Sequence, residues 1–462
     1  MSAIQLSSLG RDDTIVKLPH PYQTEYVVQE TGASSGDDKT AAALYQISIK
    51  ENGQTGSGSS NPPVELHNLD LVFTEPVDLK SSELPATGNN GPWARARKSP
   101  SATASWKGKT QPTLAQVWLL LYVLFTVRPS MEGVRLELKG QGAALLGQQL
   151  VDVLLATHHP EPPKTVTTPA PKTSPDDTVV LALRSTFWQG AGSPFGPRPA
   201  WCPDESPASL ARPLASYPLT PVHHTVTVQN AGDPQDPERS LQAWHPIRPA
   251  KPAPGAVIYS RWIPHLRETF SMRSLDWEDA EHLGLFHQWQ NDPRVSQGWN
   301  ETGTLEEHRE YLRRIHVDPH QVAVLAYWED VPFAYFEIYW AKEDRLGAYF
   351  DAGDFDRGRH SLVGDVRYRG PHRVTAWWSS LMHYLFLDDP RTLQVVGEPK
   401  DVNSVVVMYD LIHGFGIEMF VDLPHKRSAL VSCSRKRFFQ LCPLGENEKA
   451  VGGMKIGLVP KL

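Results

Sequence analysis

The chain has 462 residues, enough for two or three domains, and its 40% hydrophobic and 21% charged residues are typical of a protein with a buried core. Its formal net charge of −7 argues against a nucleic-acid-binding or membrane-surface protein. Three cysteines, Cys202, Cys433 and Cys442, are too few and too scattered for a disulfide framework or a zinc site, so we expect a reducing compartment.

The first third of the chain carries short strand patterns and one helix pattern. Residues 43–50 (ALYQISIK) and 64–73 (VELHNLDLVF) predict strands, and residues 113–127 predict a helix. The most apolar run, residues 118–127, is about half as long as a bilayer crossing requires, so we interpret it as a buried helix. The first residues, MSAIQLSSLGRDDT, lack the basic region and apolar core of a secretory signal.

Prolines, 40 in all, cluster in the middle of the chain. Residues 158–177 and 190–254 are rich in Pro, Ser and Ala, and the helix and strand periods fade there. Strand and helix patterns alternate again from about Ile258. We therefore expect two α/β domains, residues 1–157 and 255–462, joined by a proline-rich connector, residues 158–254.

Two segments of the chain resemble each other. Residues 115–138 and 374–399 each have a Trp, an apolar helix ending in Leu-Phe, a short loop with Arg and Pro, and a strand. Where the second copy has an arginine-rich turn, the first reads SATASWKGKTQPT (101–113). The first copy would then be a structural or oligomerising half without phosphate-binding chemistry. Two unrelated amphipathic helices are the alternative.

A basic turn separates a strand from a long helix in the second copy. In an extended strand, His360, Leu362 and Gly364 point to one face. A glycine-containing turn before a helix N-terminus is suited to a phosphate, because backbone N–H groups and arginines can both donate to it. A solvated basic loop is the alternative. The turn residues are Arg367, Arg369, Gly370, Pro371, His372 and Arg373.

Downstream, residues 395–420 predict a strand, a loop, a helix beginning near Asn403, a stop at Gly414-Phe415 and another strand. This order resembles the second half of the GNAT superfamily of N-acetyltransferases. The resemblance implies that the basic turn and Asn403 bind the pyrophosphate side of coenzyme A. Two departures from the family pattern are His372 in place of a second glycine, and a helix tyrosine, Tyr409, that falls one residue early. The role of Tyr409 therefore stays open.

Four segments narrow the resemblance: residues 285–299, 334–347, 356–364 and 369–392. Within 258–442 they resemble siderophore-biosynthesis acyltransferases, namely the mycobactin and aerobactin enzymes and the fungal N5-hydroxyornithine transacylases. The resemblance implies an α/β (α+β) fold of two GNAT-like mixed-sheet domains, the N-terminal one degenerate and the C-terminal one catalytic. It also implies acyl-CoA as co-substrate without a permanently bound cofactor. The expected reaction transfers an anhydromevalonyl or acetyl-type group to N5-hydroxy-L-ornithine, forming a hydroxamate for fusarinine-type siderophores.

The resemblance and the chemistry make His360 the expected base, since an imidazole pKa near 6.5 suits proton transfer at neutral pH. A structural strand histidine is the alternative. Bacterial relatives end the next strand with Glu-Pro-Asp, whereas this chain reads Glu398-Pro399-Lys400-Asp401. We expect Asp401 as the carboxylate partner of His360, with Glu398 as second choice.

The acceptor is a zwitterion, so its site needs acidic and polar groups. Glu337 is expected to be functional, because a buried carboxylate without a partner is costly. For the aromatic candidates, packing in the hydrophobic core is an alternative to contact with the acceptor. The polarising N–H is expected within residues 362–365, and Arg391 is expected at a CoA phosphate or in a salt bridge. Further acceptor candidates are Tyr339, Trp340, His287, Trp289, Asn291 and Arg294.

Several alternatives and partners remain at this point. The chain also resembles aminoglycoside 6′-N-acetyltransferases, and a non-catalytic CoA-binding assembly subunit would explain the departures from the GNAT pattern. We expect a homo-oligomer, no nucleic-acid or membrane partner, and no metal site, since no cluster has metal-ligand spacing. The final residues, Pro460-Lys461-Leu462, resemble a peroxisomal import signal. We therefore expect a peroxisomal protein, or otherwise a cytoplasmic one.

Overall fold

The structure is a computed structural model, and its chain divides into two compact units, residues 1–200 and 201–462. The described residues are 4–10, 12–34, 42–50, 60–85, 91–161, 178–196, 198–203, 223–230, 240–444, 448–451 and 454–457.

The N-terminal unit is built on one mixed sheet of eight strands among its described residues. The order across the sheet is β1-β2-β3-β4-β5-β6-β8-β7, and the β5–β6 pair is parallel while the others are antiparallel. The elements are β1 (Thr14–Lys17), β2 (Glu25–Ser34), β3 (Ala43–Ile49), β4 (Leu71–Thr74), α1 (Pro92–Lys98), β5 (Ser101–Trp106), α2 (Leu114–Val127), β6 (Gly133–Lys139), α3 (Ala143–Asp152), β7 (Thr157–His158), β8 (Val179–Leu183) and α4 (Arg184–Trp188).

The described part of the C-terminal unit contains a second eight-stranded mixed sheet and two separate hairpins, β9–β10 and β19–β20. The sheet order is β11-β12-β13-β14-β15-β16-β18-β17, and only the β15–β16 pair in it is parallel. The elements are β9 (His224–Asn230), β10 (Ser240–Pro246), β11 (Val257–Ile263), β12 (Glu268–Ser274), α5 (Ala280–Gln290), α6 (Pro293–Trp299), α7 (Leu305–Val317), β13 (Gln321–Trp328), β14 (Val331–Trp340), β15 (Arg357–Val363), α8 (Pro371–Asp388), β16 (Gln394–Gly397), α9 (Ser404–Ile412), β17 (Gly416–Leu423), β18 (Lys426–Ser434), α10 (Arg435–Leu441), β19 (Glu448–Val451) and β20 (Met454–Gly457).

The two large sheets have the same strand order and the same directions of pairing. In each, a long helix connects the two strands of the single parallel pair: α2 between β5 and β6, and α8 between β15 and β16. The two similar sequence segments lie on these equivalent elements. The predicted fold class, two mixed α/β sheets, is confirmed.

The expected domain boundaries need correction. The chain divides after Ala200, and the region expected as a connector contains β8 and the hairpin β9–β10. Strand β8 is paired with β6 over five residues and belongs inside the N-terminal sheet. Its short apolar run, Val-Val-Leu-Ala-Leu, was not predicted as a strand because proline-rich segments flank it. Other parts of the expected connector, residues 162–177, 204–222 and 231–239, lie outside the described residues.

Helix α2 is buried from Val117 to its last residue, as its apolar run predicted. The three cysteines are buried and not in disulfides. No helix within the described ranges is long and apolar enough to span a bilayer. Those ranges also contain no group of three or more His, Cys, Asp or Glu residues that could hold a metal ion.

Candidate active site

Two facing residues on β14 and β15 form the centre of the candidate site. Glu337 and His360 are direct partners in the antiparallel register, so their side chains lie on the same face of the sheet. Tyr335 and Tyr339 lie two residues to either side of Glu337 and share that face. The alternation of strand β14 thus aligns two phenols and a carboxylate beside the imidazole.

The imidazole of His360 lies between two carboxylates. Its Nδ1 is 3.0 Å from Glu337 Oε2, and its Nε2 is 2.5 Å from Glu398 Oε1. Glu398 directly follows β16, the strand parallel to β15. The glutamate side chains are only 5% and 7% exposed, whereas 36% of the His360 side chain is exposed. The imidazole is therefore the part of this Glu337–His360–Glu398 group that a substrate can reach.

The two carboxylates keep the imidazole charged. Burial alone would lower the pKa of His360, but the charges and hydrogen bonds of Glu398 and Glu337 outweigh it and raise this pKa to about 10. Burial would raise the pKa of Glu398, but the imidazolium, Lys426 (3.6 Å away) and the Tyr339 hydroxyl hold it well below its ordinary value. At neutral pH the ring is therefore an imidazolium, and it can accept a proton only after it has lost one.

Three tyrosines complete the contacts of the carboxylates. Tyr311 and Tyr335 donate hydrogen bonds to Glu337 Oε1 at 2.7 and 3.0 Å, and Tyr339 donates to Glu398 Oε2 at 2.9 Å. Glu337 was expected to be functional in acceptor binding, but the contacts of both its oxygens are internal. This corrects the expectation: Glu337 is a partner of the imidazole, and these bonds offset the cost of burying its charge.

Strands β15 and β16 separate beside the imidazole. Their parallel ladder covers two residues of each strand, while β15 continues to Val363. The N–H of Gly364 donates to the carbonyl of Phe333 on β14. Because N–H groups alternate between the two sides of a strand, those of Ser361 and Val363 face the gap towards β16. Within the expected range 362–365, this points to Val363 as the free donor at the gap.

A buried ion pair lies on the opposite face of the sheet at this gap. Arg359 of β15 pairs with Asp410 of α9, and both side chains are almost fully buried. The guanidinium lies 4.7 Å from the ring centroid of Trp378 and 5.2 Å from that of Phe415. A Cβ on Gly397 would come within 2.5 Å of the guanidinium, so only glycine leaves room for it. Burial raises the pKa of Asp410 to about 6, although Arg359 opposes this shift.

The basic turn connects β15 to helix α8. A 3₁₀ turn, Val366–Tyr368, follows β15, and Gly370 caps the helix α8 with φ of +132°, a conformation that favours glycine. Arg367 and Arg369 are exposed, and Arg367 is held by bonds to Asp365. These two arginines and the N–H of His372 can donate to a phosphate, whereas Pro371 has no N–H and those of Arg373 and Val374 donate to the carbonyl of Gly370.

The other turn residues have local roles. Pro371 is the first residue of α8, a position where its missing N–H costs nothing. Arg373 donates two hydrogen bonds, of 2.5 and 2.9 Å, to Glu268 of β12. His372 is exposed, and its carbonyl lies 2.9 Å from the His265 ring. Arg373 is thus already paired, while the imidazole of His372 stays exposed at the turn.

The first choice for the carboxylate partner was wrong. Asp401 lies 3.6 Å from Arg427, and Glu398 is the acid in contact with His360. After Pro399 the backbone bridges to β18 through Lys400, which directs Asp401 to a different neighbour. The second choice, Glu398, therefore has the expected contact.

The tryptophans among the acceptor candidates belong to the core. Trp340 lies on the face opposite Glu337, beneath the guanidinium of Arg357 at 4.1 Å. Trp289 is 5% exposed and packs under Gly364, where a Cβ would come within 2.1 Å of its ring. Neither ring contacts His360, so the alternative of core packing is correct for both.

Three further acceptor candidates shape the loops near the site. His287 Nδ1 lies 2.9 Å from His308 Nδ1. The Asn291 amide makes two hydrogen bonds to the backbone of Gly303, of 2.9 and 3.1 Å. Arg294 donates to the backbone carbonyl that follows β15. Asn291 and Arg294 thus hold backbone rather than presenting free groups to a ligand.

The remaining predicted residues are also accounted for. Asn403 caps α9 by accepting a hydrogen bond from the N–H of Val406. The Tyr409 ring packs against Trp378, with centroids 5.9 Å apart. Arg391 is paired with the carboxylate two residues earlier, as the salt-bridge alternative predicted.

Sequence reasoning missed Tyr311, Tyr335, Lys426 and the Arg359–Asp410 pair. Tyr335 could have been found, because it alternates with Glu337 on one strand. Tyr311 and Lys426 come from a distant helix and a hairpin, and no local pattern indicates that they meet Glu337 and Glu398.

Comparison with known proteins identifies the family. Residues 278–423 match the model of the acetyltransferase (GNAT) domain. The chain is 68% identical, over 99% of both chains, to N(5)-hydroxyornithine:cis-anhydromevalonyl coenzyme A-N(5)-transacylase SIDF of Beauveria bassiana. It is 48% identical to hydroxyornithine transacylase SID3 of Ajellomyces capsulatus, over 94% of this chain and 95% of that one.

This chain belongs to the hydroxyornithine transacylase family. The family assignment predicted from four motifs is confirmed, and so is the prediction of an acyltransferase. The chain is also 58% identical, over 99% of both chains, to a Stachybotrys chartarum protein, SAT14, that bears the name of an O-acetyltransferase. In this chain, the Glu337–His360–Glu398 group lies inside the matched GNAT domain. Lys426 of β18 lies just beyond that domain, which ends at residue 423.

Proposed function

We propose that this chain transfers an acyl group from acyl-coenzyme A to the hydroxylamine nitrogen of N5-hydroxy-L-ornithine. The observation that carries the proposal is the 68% identity with the Beauveria transacylase over 99% of both chains. The product would be a hydroxamate, a bidentate oxygen ligand for ferric iron and a building block of fusarinine-type siderophores. The acyl group favoured by the relative's name is cis-anhydromevalonyl, with acetyl as the alternative donor.

Acyl-CoA enters this proposal as a co-substrate. Its pyrophosphate lies at the N-terminus of α8, where Arg367, Arg369 and the N–H of His372 offer donors. Its thioester lies in the gap between β15 and β16. The N–H of Val363 faces that gap and is suited to stabilise the oxyanion of the tetrahedral intermediate.

The acceptor nitrogen is less basic than an alkylamine, so it is largely neutral near pH 7 and can attack the thioester carbonyl directly. As the N–C bond forms, the nitrogen must lose a proton. As the C–S bond breaks, its electron pair leaves with the sulfur. We assign the proton to the Glu337–His360–Glu398 group, in which His360 is the exposed member and accepts the proton when its ring is neutral, while Glu398, at 2.5 Å, stabilises the imidazolium that forms.

The assay combines thiol release with detection of the hydroxamate as its coloured ferric complex. With anhydromevalonyl-CoA and N5-hydroxyornithine, the wild type should release thiol and form the hydroxamate in equal amounts. His360→Gln should lose at least about 100-fold in rate while still binding coenzyme A. Ornithine in place of N5-hydroxyornithine is the matched acceptor control.

Three outcomes would contradict parts of this proposal. Thiol release without the ferric colour would indicate O-acylation, as in the name of the Stachybotrys relative. Turnover with kanamycin and acetyl-CoA, but none with N5-hydroxyornithine, would indicate an aminoglycoside acetyltransferase. Coenzyme A binding without turnover of any acceptor would favour an assembly subunit.

We also propose a second copy of this chain as a partner. Strand β17 is an edge strand that exposes Ile417, Met419 and Phe420, and α9 exposes Met408 and Leu411. Such an apolar surface favours association. Sedimentation should give a dimer or larger assembly for the wild type and a smaller species for Phe420→Glu. An equal mass for the wild type and Phe420→Glu would show that this surface does not mediate self-association.

For the location in the cell we propose the peroxisome, on the basis of Pro460-Lys461-Leu462. This tripeptide lies outside the described residues. A fluorescent fusion that keeps the free C-terminus should be found in peroxisomes, and deletion of Leu462 should leave it in the cytosol. Cytosolic fluorescence from both fusions would contradict the proposal.

A further inference from the structure

The two carboxylates beside His360 are arranged alike, although they come from different elements. Each has one oxygen on the imidazole and the other on tyrosine hydroxyls. For Glu337 the second oxygen accepts from Tyr311 and Tyr335, at 2.7 and 3.0 Å. For Glu398 it accepts from Tyr339 at 2.9 Å. The tyrosines therefore fix the plane of each carboxylate as well as its position.

This arrangement determines the state of the ring. An ionised carboxylate can only accept hydrogen bonds, so both imidazole nitrogens that face one must carry hydrogen. Burial and the neighbouring carboxylates hold the pKa of each tyrosine well above its ordinary value, so the phenols are donors across the working pH range. No proton position in this group is left free to vary independently.

We propose that Tyr311, Tyr335 and Tyr339 are positioning residues, which hold one oxygen of each glutamate away from His360 so that the Glu337–His360–Glu398 group takes up and releases protons as one unit. The inference rests on the proposed function only where the rate of acyl transfer is used as a readout. The state of the ring can be measured without turnover.

The phenols weaken the hold of the carboxylates on the ring. A hydroxyl that donates to a carboxylate stabilises its charge and lowers its affinity for a proton. Without that hydroxyl the carboxylate would bind the imidazolium proton more tightly. Removal of a phenol should therefore make the group harder to deprotonate.

Charged groups from several other elements also act on the unit or on its tyrosines. Among the described residues they include Lys426 on β18, His425 in the preceding turn, Glu301 in the loop before α7, Arg314 on α7, Asp344 after β14, Arg359 on β15 and Asp410 on α9. The Trp299 ring lies 6.1 Å from the imidazole and carries no charge. Each of these groups is left unchanged by a Tyr→Phe substitution, which makes that substitution a clean test.

The test compares Tyr339→Phe and Tyr311→Phe with the wild type by the pH dependence of acyl transfer and by NMR of the His360 imidazole nitrogens in the free protein, assigned with His360→Gln. For Tyr339→Phe we expect the midpoints of both curves to rise by about 0.5–1 pH unit, with the high-pH rate within about 3-fold of the wild type. Tyr311→Phe should shift in the same direction by less, because Tyr335 still donates to Glu337.

Tyr327→Phe is the control, because this buried tyrosine on β13 has its hydroxyl at another histidine, His282, 3.5 Å away. It should leave both midpoints unchanged. Equal loss of rate at every pH, or no shift of the NMR midpoint in a folded Tyr339→Phe protein, would overturn the inference. A shifted NMR midpoint in a protein that does not acylate N5-hydroxyornithine would support the inference and refute the proposed function instead.

Discussion

His360 is held as an imidazolium by the folded structure, and this makes stability depend on pH. Its pKa rises from about 6.5 in the unfolded chain to about 10 in the folded one. The stabilisation from this site is therefore fully present below pH 6.5 and is lost as the pH rises towards 10. We expect the difference in thermal unfolding midpoint between wild type and His360→Gln to be largest near pH 6 and to narrow steadily by pH 10. A difference that is constant between pH 6 and 10 would contradict this account.

The two acids after β16 allow a matched comparison, since only Glu398 contacts the imidazole. Glu398→Gln removes the charge at 2.5 Å from His360 and should lower kcat/KM by about 100-fold or more. Asp401→Asn, three residues along, should change it by less than about 3-fold. Steady-state kinetics with N5-hydroxyornithine measure both. Equal losses of kcat/KM in the two variants would indicate that Asp401 also takes part in the reaction.

At the scale of single residues, the sequence indicated His360 and Glu337 but not how they meet. Strand alternation and family motifs pointed to His360, and the cost of a buried charge pointed to Glu337. The wrong preference for Asp401 arose because a loop after Pro399 turns the chain within two residues. Sequence spacing alone does not determine the direction of such a turn.

At the scale of elements, the Arg359–Asp410 pair links β15 to α9 through a buried interaction. Arg359→Met should destabilise the protein by about 3–5 kcal/mol, because Asp410 is left as an unpaired buried charge. The double variant Arg359→Met/Asp410→Leu should recover most of that loss. Arg391→Met, which breaks a partly buried pair with Asp389 whose guanidinium is 30% exposed, should cost less than Arg359→Met, because solvent screens that charge. Urea unfolding compares the variants, and a double variant no more stable than Arg359→Met would contradict the pair as the cause.

Strand β15 passes close to the phenol of Tyr339 at Gly358. A Cβ there would come within 2.1 Å of the ring, so Gly358→Ala must displace Tyr339 from Glu398. We expect a loss of about 1–3 kcal/mol in stability and a fall in activity. Gly284→Ala on α5, where nothing lies within 4 Å of the new Cβ, should be neutral or slightly stabilising. Unfolding curves and kcat/KM of the two variants test the contrast, and a fully active Gly358→Ala protein would show that Tyr339 can move freely.

Elements with strong periodicity were predicted well. The helix before β6, the strand of His360 and the helix after the basic turn lie where the sequence placed them. Strand β8 was missed because five apolar residues between proline-rich segments have no periodicity of their own. It is a strand because β6 and β7 lie on either side of it.

At the scale of the whole chain, the repeated sheet order gives two turns equivalent positions, one in each sheet. The turn before α8 carries Arg367 and Arg369, and the turn before α2 carries Lys107 and Lys109. Arg367→Ala/Arg369→Ala should raise KM for acyl-CoA by about 10-fold or more through lost phosphate contacts. Lys107→Ala/Lys109→Ala should leave KM unchanged. Initial-rate measurements decide, and a similar rise in both would show that the N-terminal turn also contacts coenzyme A.

The position of β8 determines how the chain can be divided for separate expression. This strand lies between β6 and β7, although it follows both in sequence. A fragment ending at residue 157 would lack this strand and leave the backbone of β6 open to pairing with other molecules, so it should form inclusion bodies. A fragment ending at residue 200 retains every strand of the sheet. On the ribosome, likewise, the N-terminal sheet cannot close until the residues of β8 have left the exit tunnel.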